Sequence, residues 1–228
     1  MTNSSAPEFF AGVDVQIARG LAYCVLTREA EYCTSGWIDV HEYSEAALKL
    51  KDRLLTCAEG QSQRLAVGID APRKPIPTPR AFYWEKPKDT WRPRRPSDKG
   101  YGRHCEVVLK SLNLGNIQWT PPRHKAPEWM NLGFALYNAL NEWEKVYEVF
   151  PTAAYRLLEG DVETRMSIPL AHFRRGPKDM LDAAAAAFSV LLFERGAGME
   201  IGGGDGLGTI VLPDKVDVNP VVARWPQS

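Results

Sequence analysis

The sequence predicts a mixed α/β fold on one central sheet, with three antiparallel strands followed by parallel strands, and with helices on both faces. Three observations carry this expectation. Short apolar runs rich in β-branched and aromatic residues alternate with longer stretches of helical spacing. Residues 65–72, LAVGIDAP, are apolar on both faces, as a central strand covered on both sides must be. The first two apolar runs are joined by only a short polar link, which suits antiparallel neighbours.

Taken in order, residues 1–10 are expected to be a disordered tail, polar and small as far as Pro7. The tail runs into a first strand over 9–15, and a single domain is expected over 11–213. Residues 20–27, GLAYCVLT, read as its antiparallel partner, and 33–40, with Trp37 and Ile38, as a third strand. Ser44 is placed to cap a helix whose stripe runs through Ala47, Leu48, Leu50, Leu54, Leu55 and Ala58 and stops before Gly60. In 65–72, Ala66, Gly68 and Asp70 share one face and Val67, Ile69 and Ala71 the other. Pro72 has no N–H for a ladder and marks the exit.

Residues 73–101 hold many prolines and little apolar periodicity, and read as a long loop or insertion. Helical spacing returns over 102–114, followed by a short strand over 116–120. A helix begins at Pro127 and shows Trp129, Leu132, Leu136, Leu140 and Trp143 on one face. A strand over 145–150 carries Glu148, and Thr152 is placed to cap a short helix through Leu158. Pro177 opens a long final helix that stops at Gly196, and a strand over 209–212 precedes a C-terminal tail at 214–228.

Composition excludes several function classes. The 28 basic and 28 acidic residues cancel, so the chain is not coated in positive charge. The four cysteines form no C-x-x-C pair, and the four histidines show no H-E-x-x-H spacing, which argues against zinc. No secretory leader and no run of ~18 apolar residues is present, so a cytoplasmic protein with reduced thiols and no membrane partner is expected. The glycines of 202–208 lack the P-loop pattern and read as a flexible turn.

Four carboxylates stand out: Asp14, Asp70 and Glu148 late in strands, and Asp182 on the final helix, where Ala183 to Ala187 make a smooth surface that can lie close to a sheet. Sites in open α/β sheets gather beyond the carboxyl ends of strands. Hard oxygen ligands without His or Cys suit Mg²⁺ or Mn²⁺, and two such ions about 3.5–4 Å apart activate water and stabilise the leaving oxygen of a phosphodiester. Each acid taken alone has an ordinary alternative, since a strand-end Asp often caps a loop and a first-turn acid such as Asp179 answers the helix dipole.

GVD at 12–14, VGIDAP at 67–72, R-x-C-E at 103–106, YEVFPTAAYRLL at 147–158 and KDMLDAAAAAF at 178–188 occur in this order. The series resembles the family labelled domain of unknown function 429, a predicted nuclease group with an RNase H-like fold, over 11 to about 213. The resemblance implies a RuvC-like acidic site. Asp14 matches the acid of the first strand, Asp70 that of the fourth and Asp182 that of the last helix, the three expected metal ligands. Glu148 matches the glutamate of the E-V-x-P segment. The family's last helix often begins with two adjacent acids, whereas Lys178 precedes Asp179 here, and GTIVLP lacks the tryptophan expected in the last strand.

The insertion interleaves Phe82, Tyr83, Trp84, Trp91 and Tyr101 with Arg92, Arg94, Arg95 and Arg103, directly after Arg73 and Lys74. Cations pair with phosphates and exposed rings stack on unpaired bases, so these six cations are the candidate substrate contacts for DNA or RNA. The alternative is that the rings pack the loop onto the domain and the charges are solvated or, for Arg103 and Glu106, paired with each other. The expected function is a metal-dependent nuclease. A non-catalytic RNase H-like binding module is the main alternative. An actin-like ATPase or phosphotransferase is disfavoured, because Asp14 is followed by Val15, Gln16, Ile17 and Ala18 where Gly and Ser or Thr are wanted.

Overall fold

The computed structural model describes residues 6–158 and 176–226. In chain order the elements are strands β1 (Phe9–Asp14), β2 (Leu21–Thr27) and β3 (Tyr32–Ile38), helix α1 (Tyr43–Cys57), and strands β4 (Leu65–Asp70), β5 (Phe82–Glu85) and β6 (Thr90–Pro93). Helices α2 (His104–Ser111) and α3 (Glu128–Ala139), strand β7 (Val146–Glu148), helices α4 (Pro151–Leu157) and α5 (Pro177–Glu194), and strands β8 (Met199–Gly202) and β9 (Thr209–Leu212) follow.

Five strands form the central sheet in the order β3-β2-β1-β4-β7. β1 and β2 run antiparallel, as do β2 and β3, whereas β4 is parallel to β1 and β7 parallel to β4. The period-two alternation of β1 and β4 divides the core. Ala11, Val13, Val67 and Ile69 pack on one face against Leu50 and Leu54 of α1 and Leu132 and Leu136 of α3. Phe10 and Ala66 pack on the other face against the alanines of α5. The mixed sheet with helices on both faces is therefore as the sequence predicts.

The register of β1 against β4 places Gly12 opposite Gly68 and, two residues on, Asp14 opposite Asp70. α5 lies directly on the glycine pair. A Cβ at Gly12 would stand 1.9 Å from the Ala183 carbonyl oxygen and 2.3 Å from the Ala187 nitrogen, and one at Gly68 would stand 2.8 Å from the Ala186 oxygen. α5 runs antiparallel to β1 and β4. One helical turn from Ala186 back to Asp182 covers about 6 Å, close to the roughly 7 Å from Gly12 to Asp14 along the strand. The glycine–alanine contact thus sets the level at which Asp182 meets the strand ends.

Several local expectations are corrected. The stretch expected to be a long loop or partly ordered insertion holds an antiparallel hairpin of β5 and β6, with Trp84 opposite Trp91. Residues 116–120 form no strand, although the Gly102 N–H donates to the Thr120 carbonyl at 2.8 Å. Glu42, not Ser44, caps α1, its side chain accepting from the Glu45 N–H at 2.7 Å. α4 begins at Pro151 without a side-chain cap, so Thr152 lies inside it. Phe9 and Phe10 belong to β1 rather than to the tail, while residues 1–5 lie outside the described part. β8 had no sequence signal, and it pairs with β9, which touches the edge of the sheet through a Val149–Val211 bridge. Residues 214–226 are no free tail either: Val222 is fully buried, and the Trp91 indole N–H donates to the Val221 carbonyl at 3.0 Å. Among the described residues, no helix is long and apolar enough to cross a membrane.

Because a side chain at Gly12 meets helix backbone rather than a movable side chain, Gly12→Val is expected to cost more than about 3 kcal/mol, beyond ordinary overpacking. Circular dichroism melting checks this. A melting temperature within a degree or two of the parent would show that α5 does not rest on the sheet this closely.

Candidate functional site

Asp14 and Asp70 end two adjacent parallel strands and point to the α5 side of the sheet. Both line an open cleft of about 800 Å³, with Glu148, Arg103 and Glu106 on its wall. Asp14 is buried, and its Oδ2 has no hydrogen-bond partner. A buried carboxylate oxygen without a partner is expensive. Burial first, and then the charges of Asp182 and Asp179, push the Asp14 carboxyl up to about 7. Asp70 is raised well above the usual carboxylate range, by burial and then by Asp14, Asp182 and Glu148. Two like charges on neighbouring strand ends resist joint ionisation, so the pair titrates as a unit.

Asp182 reaches the same region from α5 and acts on both strand acids. Its own oxygens are engaged. Oδ1 accepts the Tyr155 hydroxyl at 2.6 Å, and Oδ2 accepts the Lys178 ammonium one turn earlier on the helix. Among the described residues, no group of three or more His, Cys, Asp or Glu side chains is gathered to hold a metal ion. The expected three-carboxylate set is therefore present as an Asp14–Asp70 pair, with Asp182 alongside but held by Tyr155 and Lys178. Asp179 belongs to a different contact: Arg19 grips it with two hydrogen bonds, at 2.5 and 2.8 Å.

Glu148 comes to the same end of the sheet in a different electrostatic state. Arg103, only 1% exposed, donates to both of its oxygens, through Nη1 at 2.6 Å and through Nη2, and the Arg73 backbone N–H adds a bond at 2.9 Å. The same guanidinium holds Glu106 through Nε at 2.9 Å and Nη2 at 2.7 Å, and Glu106 also accepts from Thr120 N–H at 3.0 Å and from the Thr120 hydroxyl. Arg103 is thus the internal counter-ion of two buried glutamates. The guanidinium expected to contact substrate thus lies on the cleft wall, with Nε, Nη1 and Nη2 all donating to these two glutamates. Burial raises the Glu148 pKa, and Arg103 opposes the rise.

The other expected substrate cations are mostly occupied too. Arg73 packs over the Tyr137 ring at 4.9 Å and donates to the Val146 carbonyl. Lys74 donates to the Gly206 carbonyl at 2.9 Å. Arg92 is bidentate on Asp98, at 2.6 and 3.0 Å, and also pairs with Glu85, which Arg95 shares. Arg94 is exposed, and its side chain has no ion pair or hydrogen bond among the described residues. The hairpin acids Glu85 and Asp98 consume much of the apparent basic patch, as solvated or self-paired charges would.

Sequence reasoning missed Tyr155, Lys178, Thr120 and Arg80 (which stacks between Tyr83 and Trp119) as partners of this region. The i,i+4 spacing of Lys178 and Asp182 is a readable signal. The Tyr155 and Thr120 contacts depend on tertiary placement, with no sequence signature. Comparisons with protein-family models, with curated proteins and with solved structures found no match to this chain.

Two outcomes follow from the electrostatics. The folded Asp14 carboxyl keeps its proton up to about pH 7, whereas the unfolded one releases it near ~3.9. The folded state therefore binds more protons between these values, and stability falls as pH rises through that window, by up to about 4 kcal/mol for this group. Melting in EDTA should show a higher midpoint at pH 5 than at pH 8, with a shallower dependence in Asp14→Asn; an unchanged slope in the variant would contradict the assignment. Arg103→Met strands two buried glutamates and should cost about 3–5 kcal/mol by denaturant titration, whereas a near-neutral result would show that water replaces the guanidinium.

Proposed function

We propose that the chain is a metal-dependent nuclease of RNase H-like architecture that hydrolyses phosphodiester bonds of DNA or RNA by a two-metal-ion mechanism. The observation that carries the reading is the Asp14–Asp70 pair: two acids in register on parallel strand ends, one with an unsatisfied buried oxygen, opening on a cleft. The order β3-β2-β1-β4-β7, an antiparallel trio continued by strands parallel to β1, supports the RNase H-like assignment and the family resemblance.

The residues fit a hard divalent cation. Oxygen-only donors suit Mg²⁺ or Mn²⁺, and a cation between Asp14 and Asp70 would relieve both the orphaned oxygen and the mutual repulsion. When bound, such ions supply Lewis-acid activation of water and neutralise charge on the phosphate. Asp14 and Asp70 are the principal holders. Asp182 completes the set when Lys178 turns aside. The Lys178 side chain is 76% exposed and that of Asp182 only 10%, so the lysine is the partner with room to move. Glu148, its two oxygens fixed by Arg103 and the Arg73 N–H, stands on the cleft wall and bears electrostatically on Asp70. Tyr155 fixes the rotamer of Asp182 through its 2.6 Å hydrogen bond.

A non-catalytic binding module has two observations in its favour: Lys178 pairs with Asp182, and no three-ligand group is assembled among the described residues. Assays of labelled single-stranded, duplex and branched DNA and RNA with Mg²⁺ or Mn²⁺ separate the two. The nuclease reading expects cleavage that drops a hundredfold or more in Asp14→Asn and in Asp70→Asn, since even outer-shell changes at metal sites cost ~10–100-fold. Cleavage that survives in the Asp14→Asn, Asp70→Asn double variant contradicts the nuclease reading of this pair, and no cleavage of any substrate with either metal favours the binding module.

A further inference from the structure

A second cavity, of about 250 Å³, has no part in the acidic site. It lies across α2 from the cleft. Glu106 and Leu109 of that helix line the cleft, whereas Val107, Lys110 and Ser111 line this cavity. The connection after α2 is shared in the same way, with residues 116–118 facing the cleft and Asn113 and Trp119 facing the cavity. Arg80, Trp84 and Lys86 complete the lining, and no carboxylate contributes to it. The volume is below the ~300–1,000 Å³ of pockets for drug-sized ligands, and suits a small group.

Arg80 and Trp84 bring buried, unpartnered donor atoms to the cavity wall, although Arg80 also hydrogen-bonds Tyr83. Arg80 Nε and Nη1 and Trp84 Nε1 are buried without a hydrogen-bond partner. The Arg80 guanidinium is stacked 4.0 Å from the Tyr83 ring centroid and 4.6 Å from that of Trp119. Ring faces stabilise the charge but accept none of the in-plane N–H bonds. The nearby acids are taken: Glu106 by Arg103 and Thr120, and Asp98 by Arg92. Burial consequently pushes the Arg80 pKa down, as it does for a cation lacking a counter-ion. At the rim, Lys86 and Lys110 are exposed, and their side chains have no ion pair or hydrogen bond among the described residues.

We propose that this cavity is an oxyanion pocket that takes a phosphate group, with Arg80 and Trp84 as its inner donors and Lys86 and Lys110 at its mouth. A tetrahedral oxyanion offers acceptors to buried N–H groups of both Arg80 and Trp84 and neutralises the stacked guanidinium. The phosphate comes either from a free phosphorylated small molecule or from the backbone of a nucleic-acid strand. The pocket does not depend on the acidic site being catalytic.

Isothermal titration calorimetry and thermal shift in EDTA, at constant ionic strength set with chloride, test this with three probes: inorganic phosphate, a 5′-mononucleotide and a short single-stranded oligonucleotide. EDTA keeps the outcome separate from any metal-dependent cleavage. Saturable binding of at least one probe is expected. Trp84→Phe, which keeps the ring and removes only the N–H, should weaken it by about tenfold, the loss of one hydrogen bond to a charged group. Lys110→Gln, an exposed change that leaves folding intact, should weaken it as well. Much tighter binding of the oligonucleotide than of the mononucleotide assigns the pocket to a strand, and equal binding assigns it to a free ligand. No saturable binding of any probe, or binding unaltered in both variants, overturns the proposal.

Discussion

Two like charges are forced side by side when the parallel register of β1 and β4 sets Asp14 opposite Asp70. Most of the surrounding structure is arranged so that this pairing stands at the floor of a cleft and beneath a helix. Gly12 and Gly68, two residues earlier on the same face, let α5 approach until its backbone touches the sheet. The alanines of α5 continue that contact, and the turn before them delivers Asp182 to the strand ends. Replacing either glycine moves the helix, and moving the helix moves the acid.

The same end of the sheet shows two ways of treating a buried carboxylate. Glu148 and Glu106 share one guanidinium and receive further N–H and O–H donors, so their charge is compensated inside the protein. Asp14 and Asp70 receive no such cation, and Asp14 keeps an oxygen with no partner. The interior thus supplies a shared guanidinium to one acid pair and none to its neighbour. Lys178 supplies positive charge nearby, but from an exposed side chain that neutralises Asp182 rather than the strand pair.

Much of the fold was legible because its signals are local. The two-faced apolar pattern of 65–70 identified a central strand, and the alanine run of 183–187 identified a helix able to lie flat on it. The four candidate acids followed from strand ends and helix spacing. What could not be read were the partners that tertiary structure chooses. Arg103 looks like one more cation of a basic segment, yet it is the least exposed charge in the described structure, because Glu148 arrives from 45 residues away. The hairpin of β5 and β6 was hidden by its prolines, and its Trp91 packs against His104 of α2 and Trp225 of a C-terminal segment that composition alone marks as a tail. The occupancy of Asp182 by Tyr155 and Lys178 likewise depends on where α4 and α5 meet.

The central claim is that the Asp14–Asp70 pair is built for a divalent cation. Crystals grown with Mn²⁺ and measured above and below the manganese absorption edge test it directly. The account predicts an anomalous difference peak bonded to carboxylate oxygens of both Asp14 and Asp70, absent in Asp14→Asn. An empty strand-end pair in crystals holding manganese elsewhere, or a peak that persists in the variant, would contradict it.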